Sequence, residues 1–236
     1  MKISVVIPCL NEEKNITSLI DALEAQDFKR EDYEIIIADN GSNDRTYDVA
    51  SASSADKVVV ENDKGTNNAR QAGYSASRGE IIAFLDADCR PFKGWLKNIW
   101  EIFEKDKNNE IGIASGPYRY TDAGLLGRFL SDIFQVLMIP ALRILDFIFR
   151  KKWAIALGGN MAIRKEALEK IGGFDVSFVF FGDDADTALR IRRSGYKAIF
   201  SHNIAVESSA RRFKKKGLLR TELNYVKAYL KLYFKG

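Results

Sequence analysis

Cysteine is almost missing from this chain. Cys9 and Cys89 are the only two in 236 residues, which excludes a disulfide scaffold and makes a reducing cytosol the default expectation. Histidine is scarcer still, with His202 alone. There is no G-x-G-x-x-G and no P-loop sequence, which argues against a dinucleotide cofactor and against ATP hydrolysis. The N-terminus, MKISVVIPCLNEE, has one Lys and a five-residue apolar run broken by Pro8, too short for the core of a signal peptide, so export is not expected. A long uncharged apolar run is also lacking. Leu125 to Phe149 is the most apolar region, yet it carries Arg128, Asp132, Arg143 and Asp146, too many charges for a simple membrane span. Internal repeats and low-complexity tracts are absent.

What is present is enough for one sizeable core, or one core with an appended segment: 46% of the residues are hydrophobic and 29% charged. The formal net charge of +4 is unevenly placed. Residues 211–236 hold nine Lys and Arg against one Glu, which leaves the first 210 residues net negative. The basic end suits an anionic partner, and the negative body, without basic residues spread among stacking aromatics, argues against nucleic acid.

Along the first half, short β-branched runs alternate with helical periodicity. Ile3 to Ile7, Glu34 to Ala38, Lys57 to Val60 and Glu80 to Leu85 read as strands. Asn11 offers an N-cap for a helix carrying Ile16, Leu19, Ile20 and Leu23; Gly65 to Ser77 and the Trp95, Ile99, Ile102, Phe103 series predict two more. The alternation predicts an α/β fold, a doubly wound and mostly parallel sheet whose ligands bind at the carboxyl ends of the strands. Lys165 to Ile171, closed by Gly172-Gly173, and Asp184 to Ser194, stopped by Gly195, predict later helices, and Ala198 to Ser201 is strand-like. Residues 117–152 read as an irregular or helical insertion.

Polar residues gather just after the apolar runs, where such a sheet would use them. Pro8 to Glu12 follow the first run and Asp39 to Asp44 the second, around a Gly-Ser turn suited to hydrogen-bonding a base or ribose. FLDADC ends the fourth with Asp86 and Asp88 one residue apart. Two carboxylates so close repel unless a cation sits between them, and their hard oxygens suit Mg²⁺ or Mn²⁺. A divalent ion with so few protein ligands completes its shell with water and phosphate oxygens, which points to a nucleotide diphosphate substrate. A solvated turn is the bland alternative for the pair. GDDADTALR adds a third acidic cluster at a helix start, explicable in part as an N-cap with first-turn acids.

SVVIPCLNEEKNI, IIIADNGSNDRT, KGTNNARQAGYSASRGEIIAFLDADC, GGNMAIRKEALEKIGGFD and FGDDADTALRIRRSGY, in that order over residues 3 to about 200, resemble the successive motifs of the family 2 glycosyltransferases. The resemblance implies the GT-A fold, residues 1–210 as the transferase domain with 117–152 as an acceptor-side, membrane-proximal insertion, and inverting transfer of a hexosyl group. It implies that Pro8, Asn11, Glu12, Asp39 and Arg70 contact the nucleotide, that Asp86 lies near the ribose and donor sugar, and that Asp88 ligates the metal. Asp184 corresponds to the general base; many relatives read Glu-Asp where this chain has Asp183-Asp184, which bears on the role of Asp183 toward the acceptor. His202 either completes the metal shell, as a His near this position does in some relatives, or is a structural or exposed residue. Gly158, Gly159 and Asn160 either shape the acceptor side of the donor sugar pocket or form a plain turn.

The expected partners are a UDP-, GDP- or dTDP-sugar and a saccharide or lipid-linked acceptor, in cell-envelope polysaccharide or glycolipid synthesis. In residues 211–236, Leu219, Leu223, Val226, Leu230 and Tyr233 recur at helical spacing beside Lys and Arg, which predicts a basic amphipathic helix on an anionic membrane surface, peripheral on the inner face of the cell membrane; a helix packed on the core is the alternative. Two rival functions stay open, a polyprenyl-phosphate hexosyltransferase and a non-catalytic nucleotide-sugar-binding module.

Overall fold

The four short Ile- and Val-rich runs become the left half of a seven-stranded sheet in a computed structural model that describes residues 1–124, 133, 137, 154–178 and 182–211. They are β1 (Ile3–Cys9), β2 (Tyr33–Asp39), β3 (Lys57–Val60) and β4 (Ile81–Leu85), all parallel. Every residue of β1, β2 and β4 is buried, which is why these strands read as continuous apolar runs and not as an alternation. Three further strands complete the order β3-β2-β1-β4-β8-β6-β9: β6 (Ile111–Ser115), β8 (Asn160–Arg164) and β9 (Lys197–Phe200). Strand β8 is antiparallel to both neighbours, and β9 is parallel to β6. A small second sheet, β5-β10-β7, joins Cys89–Pro91, Val206–Ser208 and Tyr118–Tyr120.

Alternate side chains of the central strands feed two cores. Val5, Ile7, Ile35, Ile37, Ala83 and Leu85 pack with α1 (Ile16–Glu24) and α4 (Trp95–Glu104). Val6, Ile36, Ile82 and Phe84 face the other side, with α5 (Lys165–Lys170) and α6 (Asp183–Arg193). Helix α1 buries Ile16, Leu19, Ile20 and Leu23, the stripe that its spacing predicts. Helix α2 (Thr46–Ser51) follows β2, and α3 (Thr66–Ser75) follows β3. A Cβ on Gly73 of α3 would lie 2.3 Å from Val6 Cγ1, so that glycine sets how closely α3 approaches β1.

One local expectation is corrected. Asn11 does not cap α1, which starts five residues later behind Asn15. Asn11 instead takes a left-handed φ of 57°, donates its N–H to Ser42 Oγ (2.8 Å) and accepts from the Asn43 N–H (2.8 Å). Its polar groups are committed to joining the loops after β1 and β2. The 117–152 segment opens as strand β7; its remainder, apart from Gly124 and its neighbours, Ile133 and Leu137, lies outside the described residues, as does the predicted helix after Arg211.

Candidate functional site

The parallel strands β1, β2 and β4 all end on one edge, and the loops that leave them are tied together there. In register, Cys9 faces Asp39 and Pro8 faces Ala38, so the two loops start level. The Asn40 N–H donates to the Cys9 carbonyl (2.9 Å), and the Glu12 N–H to Thr46 Oγ1 (2.8 Å). Asp39, 3% exposed, accepts from the Ser42 N–H (3.2 Å) and hydroxyl (2.5 Å). Asp44 accepts from the N–H groups of Thr46 (3.0 Å) and Glu13 (3.3 Å). Pro8, Asn11, Glu12 and Asp39 therefore come together as the sequence predicts, on a framework held largely by short polar side chains.

The second part of the site is built around one buried guanidinium. Arg70, on α3 and 3% exposed, donates through Nη1 to Asp183 Oδ2 and to Asn67 Oδ1 (3.2 Å), and its Nη2 lies 3.8 Å from Asp86 Oδ1. Among the described residues its Nε is buried without a hydrogen-bond partner. The guanidinium is thus paired to carboxylates at the end of β4 and the start of α6. Helix α6 begins after Gly182 (φ 93°), and Asp184 in its first turn accepts from the Ala185 N–H (2.8 Å) and the Gly158 N–H (3.0 Å). Burial, and then the charge of Asp183, push the Asp184 carboxyl up to about 6, against the opposing pull of Arg70 and the two N–H groups. Asp186 is also raised by burial, with Arg190 3.6 Å away opposing the shift.

A tight turn links these carboxylates. The Asp86 N–H donates to the Gly159 carbonyl (3.2 Å), while the Gly159 N–H donates to Tyr118 Oη (2.9 Å). A Cβ on Gly159 would sit 2.2 Å from Asp86 Cγ, so any side chain there displaces the carboxylate. Asn160 is fully buried, accepting from Trp95 Nε1 (3.0 Å) and donating to the Ile204 carbonyl (2.8 Å); it fixes the turn from behind and does not face an open cleft. Tyr118 escapes the sequence reading because it lies at the start of a segment read as an irregular insertion, and a lone Tyr carries no motif.

Asp88 lies at the rim, where Arg211 Nη2 approaches it at 3.4 Å and Glu12 at 2.7 Å. The site therefore accepts a cation between these two carboxylates. His202 is not brought to them. It is exposed, in a 3-10 turn (His202–Ile204) packed against α4, with its ring against Phe200. Because β10 runs antiparallel to β5, with Val206 opposite Pro91 and Ser208 opposite Cys89, stepping back from Val206 to His202 leads away from Asp88. Among the described residues, no group of three or more His, Cys, Asp or Glu converges on one point that could hold a metal.

Comparison with known proteins extends this geometry. The profile described as glycosyl transferase family 2 matches residues 4–172, and one described as the N-terminal domain of galactosyltransferase matches residues 141–216. Glycosyltransferase AglE of Haloferax volcanii is 27% identical over 216 residues, 89% of this chain and 68% of that protein. A dolichyl N-acetyl-α-D-glucosaminyl phosphate 3-β-D-2,3-diacetamido-2,3-dideoxy-β-D-glucuronosyltransferase of Methanococcus voltae is 34% identical over 119 residues, 48% of this chain and 37% of that protein. Among solved structures, the mannosyltransferase PcManGT of Pyrobaculum calidifontis, in complex with GDP-Man and Mn²⁺, superposes with a TM-score of 0.73 at 23% identity, covering 100% of this chain and 65% of that one. The chain thus spans from about a third to about two thirds of these proteins' lengths.

Proposed function

The chain belongs to glycosyl transferase family 2 and has the GT-A fold, and from that premise we propose that it moves a hexosyl group from a nucleotide-diphosphate sugar to an acceptor hydroxyl with inversion at the anomeric carbon. The observation that carries the proposal is the half-buried Asp184 carboxyl, raised to about 6 and joined to the Asp86 carboxylate through the Gly158-Gly159 turn. Such a group is ionised at neutral pH yet close enough to its pKa to hold a proton, which suits a general base. Asp184 takes the acceptor proton as the acceptor oxygen attacks the anomeric carbon, and the bond to the nucleoside diphosphate breaks on the opposite face. Asp183, ion-paired to Arg70, positions the helix start that carries the base.

In this reading Pro8, Asn11, Glu12 and Asp39 bind the nucleotide and Asp86 faces the donor sugar. Asp88, with hard oxygens and a neighbour that already accommodates a cation, fits Mg²⁺ or Mn²⁺ completed by diphosphate and water oxygens. When bound, the ion would neutralise charge growing on the departing diphosphate. A hydroxyl acceptor is preferred to a lipid phosphate because an ionised phosphate needs no base. The glucuronosyltransferase relative, named for a dolichyl-linked sugar phosphate, supports a lipid-linked saccharide as the acceptor class. A peripheral position on the inner membrane face, through residues 211–236, and the division into a 1–210 transferase domain and a basic tail complete the proposal. No helix among the described residues is long and apolar enough to cross a membrane.

The test pairs a panel of UDP-, GDP- and dTDP-sugars, screened by Mn²⁺-dependent thermal stabilisation, with NMR of the product formed from the preferred donor. Inversion supports the reading. Retention, or no donor that stabilises the protein, counts against it.

A further inference from the structure

The first residue of the basic C-terminal segment reaches back over the acidic rim. Arg211 Nη2 donates to Glu12 Oε1 at 2.7 Å and to Asp88 Oδ2 at 3.4 Å. The backbone that delivers it is held from behind. Ser208 of β10 pairs with Cys89, the residue after Asp88. The Ala210 N–H donates to Asp122 Oδ1 at 2.7 Å, Ser209 Oγ donates to Asp122 Oδ2 at 3.4 Å, and the Arg211 N–H donates to Ser209 Oγ at 3.2 Å. Ala210 is buried, whereas the Arg211 side chain is half exposed. The backbone is anchored, and the guanidinium at its end is half exposed to solvent.

We infer that Arg211 is the resting counter-ion of Asp88 and Glu12, a charge that a divalent cation displaces in order to bind Asp88. The inference rests on the metal reading of Asp88 given above. Two carboxylates converging on one point repel each other unless positive charge stands near them; Arg90 lies within electrostatic range of both, and among the described residues the Arg211 guanidinium, charged at every accessible pH, is in hydrogen-bond contact with both. A divalent ion arriving at Asp88 meets Arg211 as a like charge at contact range. It binds by taking over Asp88 and releasing the guanidinium, which the anchored strand keeps beside the site. A diphosphate that arrives with the ion offers the released guanidinium a bidentate anionic partner. Metal binding without donor is therefore weak by construction, and metal and donor bind cooperatively.

The experiment measures Mn²⁺ binding to the full chain without donor, by loss of the free-ion EPR signal, in wild type, Arg211→Gln, Arg211→Lys and Asp88→Asn. Removing one positive charge at contact distance from a divalent ion in largely aqueous surroundings predicts Mn²⁺ binding tighter by on the order of 3- to 30-fold in Arg211→Gln. Arg211→Lys, which keeps the charge, stays near wild type, and Asp88→Asn loses the site. Arg211→Gln binding Mn²⁺ no more tightly than wild type, while Asp88→Asn still loses it, overturns the counter-ion role. Asp88→Asn binding Mn²⁺ as wild type does removes the metal reading itself, a separate failure that is visible in the same data.

Discussion

Opposite edges of the same sheet treat a carboxylate partly removed from water in opposite ways. At the amino end, Glu34 of β2 is fully buried and accepts from Ser4 Oγ (2.7 Å), the Arg78 N–H (2.7 Å) and Arg78 Nε (3.0 Å), with Lys57 Nζ 3.4 Å away. Burial pushes its carboxyl up, but the Ser4 and Arg78 hydrogen bonds and the Lys57 charge outweigh it and hold the group below the ordinary Glu value. At the carboxyl end, Asp184 is compensated by two backbone N–H groups and a guanidinium that Asp183 and Asp86 share, and burial wins. A carboxylate given a full set of donors locks structure. One left short of them keeps its affinity for a proton near neutral pH and is fit to move protons.

The sharpest way to break this contrast is to neutralise each group. Asp184→Asn should lower kcat by about 10²- to 10⁴-fold while donor affinity stays within about twofold, because a general base acts only during transfer. Its thermal midpoint at pH 8 should not fall. The raised folded pKa means that ionising Asp184 costs the native state stability as pH rises through about 6, and Asn removes that cost; the advantage disappears on acidification below the usual Asp value. A kcat loss below about tenfold would move the base elsewhere, with Asp183 and Asp186 next in line.

Glu34→Gln should do the reverse. Breaking a buried, hydrogen-bonded ion network is worth about 3 kcal/mol, so urea unfolding should shift markedly while kcat per folded molecule is preserved. Because the Glu34 pKa is depressed in the folded state, its stabilisation is present above the unfolded Glu value and lost as pH falls through the lowered one. An unchanged urea midpoint would contradict the structural role. The smallest expected effect is at Tyr118→Phe, which strips the acceptor from the Gly159 N–H beside Asp86. A lost neutral hydrogen bond of about 1 kcal/mol predicts roughly a fivefold fall in kcat/KM. Unchanged kinetics across the donor panel would take Tyr118 out of the site.

Much of the active edge is legible in the sequence because the parallel strands are short, apolar and closely followed by their functional residues. β1, β2 and β4 announce Asn11, Asp39 and Asp86 within a few positions of their last apolar residue. The rest depends on pairing across large sequence separations, which local periodicity does not encode. Strands β5, β7 and β10 are three residues each and meet from positions about 90, 119 and 207, so neither Tyr118 nor Arg211 could be placed at the site from its neighbours. His202 shows the converse. Its family position leaves metal ligand and structural residue both open, and the antiparallel β10–β5 pairing carries it toward α4 and away from Asp88. Arg70 reads as a ligand contact from its motif, and its pairing with Asp86 and, more than a hundred positions away, with Asp183 is visible only in the fold.

The most direct test is a side-chain carboxyl NMR titration that follows Glu34 and Asp184 in one sample of the full chain, assigned by the Glu34→Gln and Asp184→Asn spectra. An Asp184 midpoint of about 6 and a Glu34 midpoint below the usual Glu value are expected in the same folded protein. An Asp184 midpoint in the ordinary carboxylate range near 4 would contradict this contrast, because neither edge of the sheet would then hold an acid with a raised affinity for its proton.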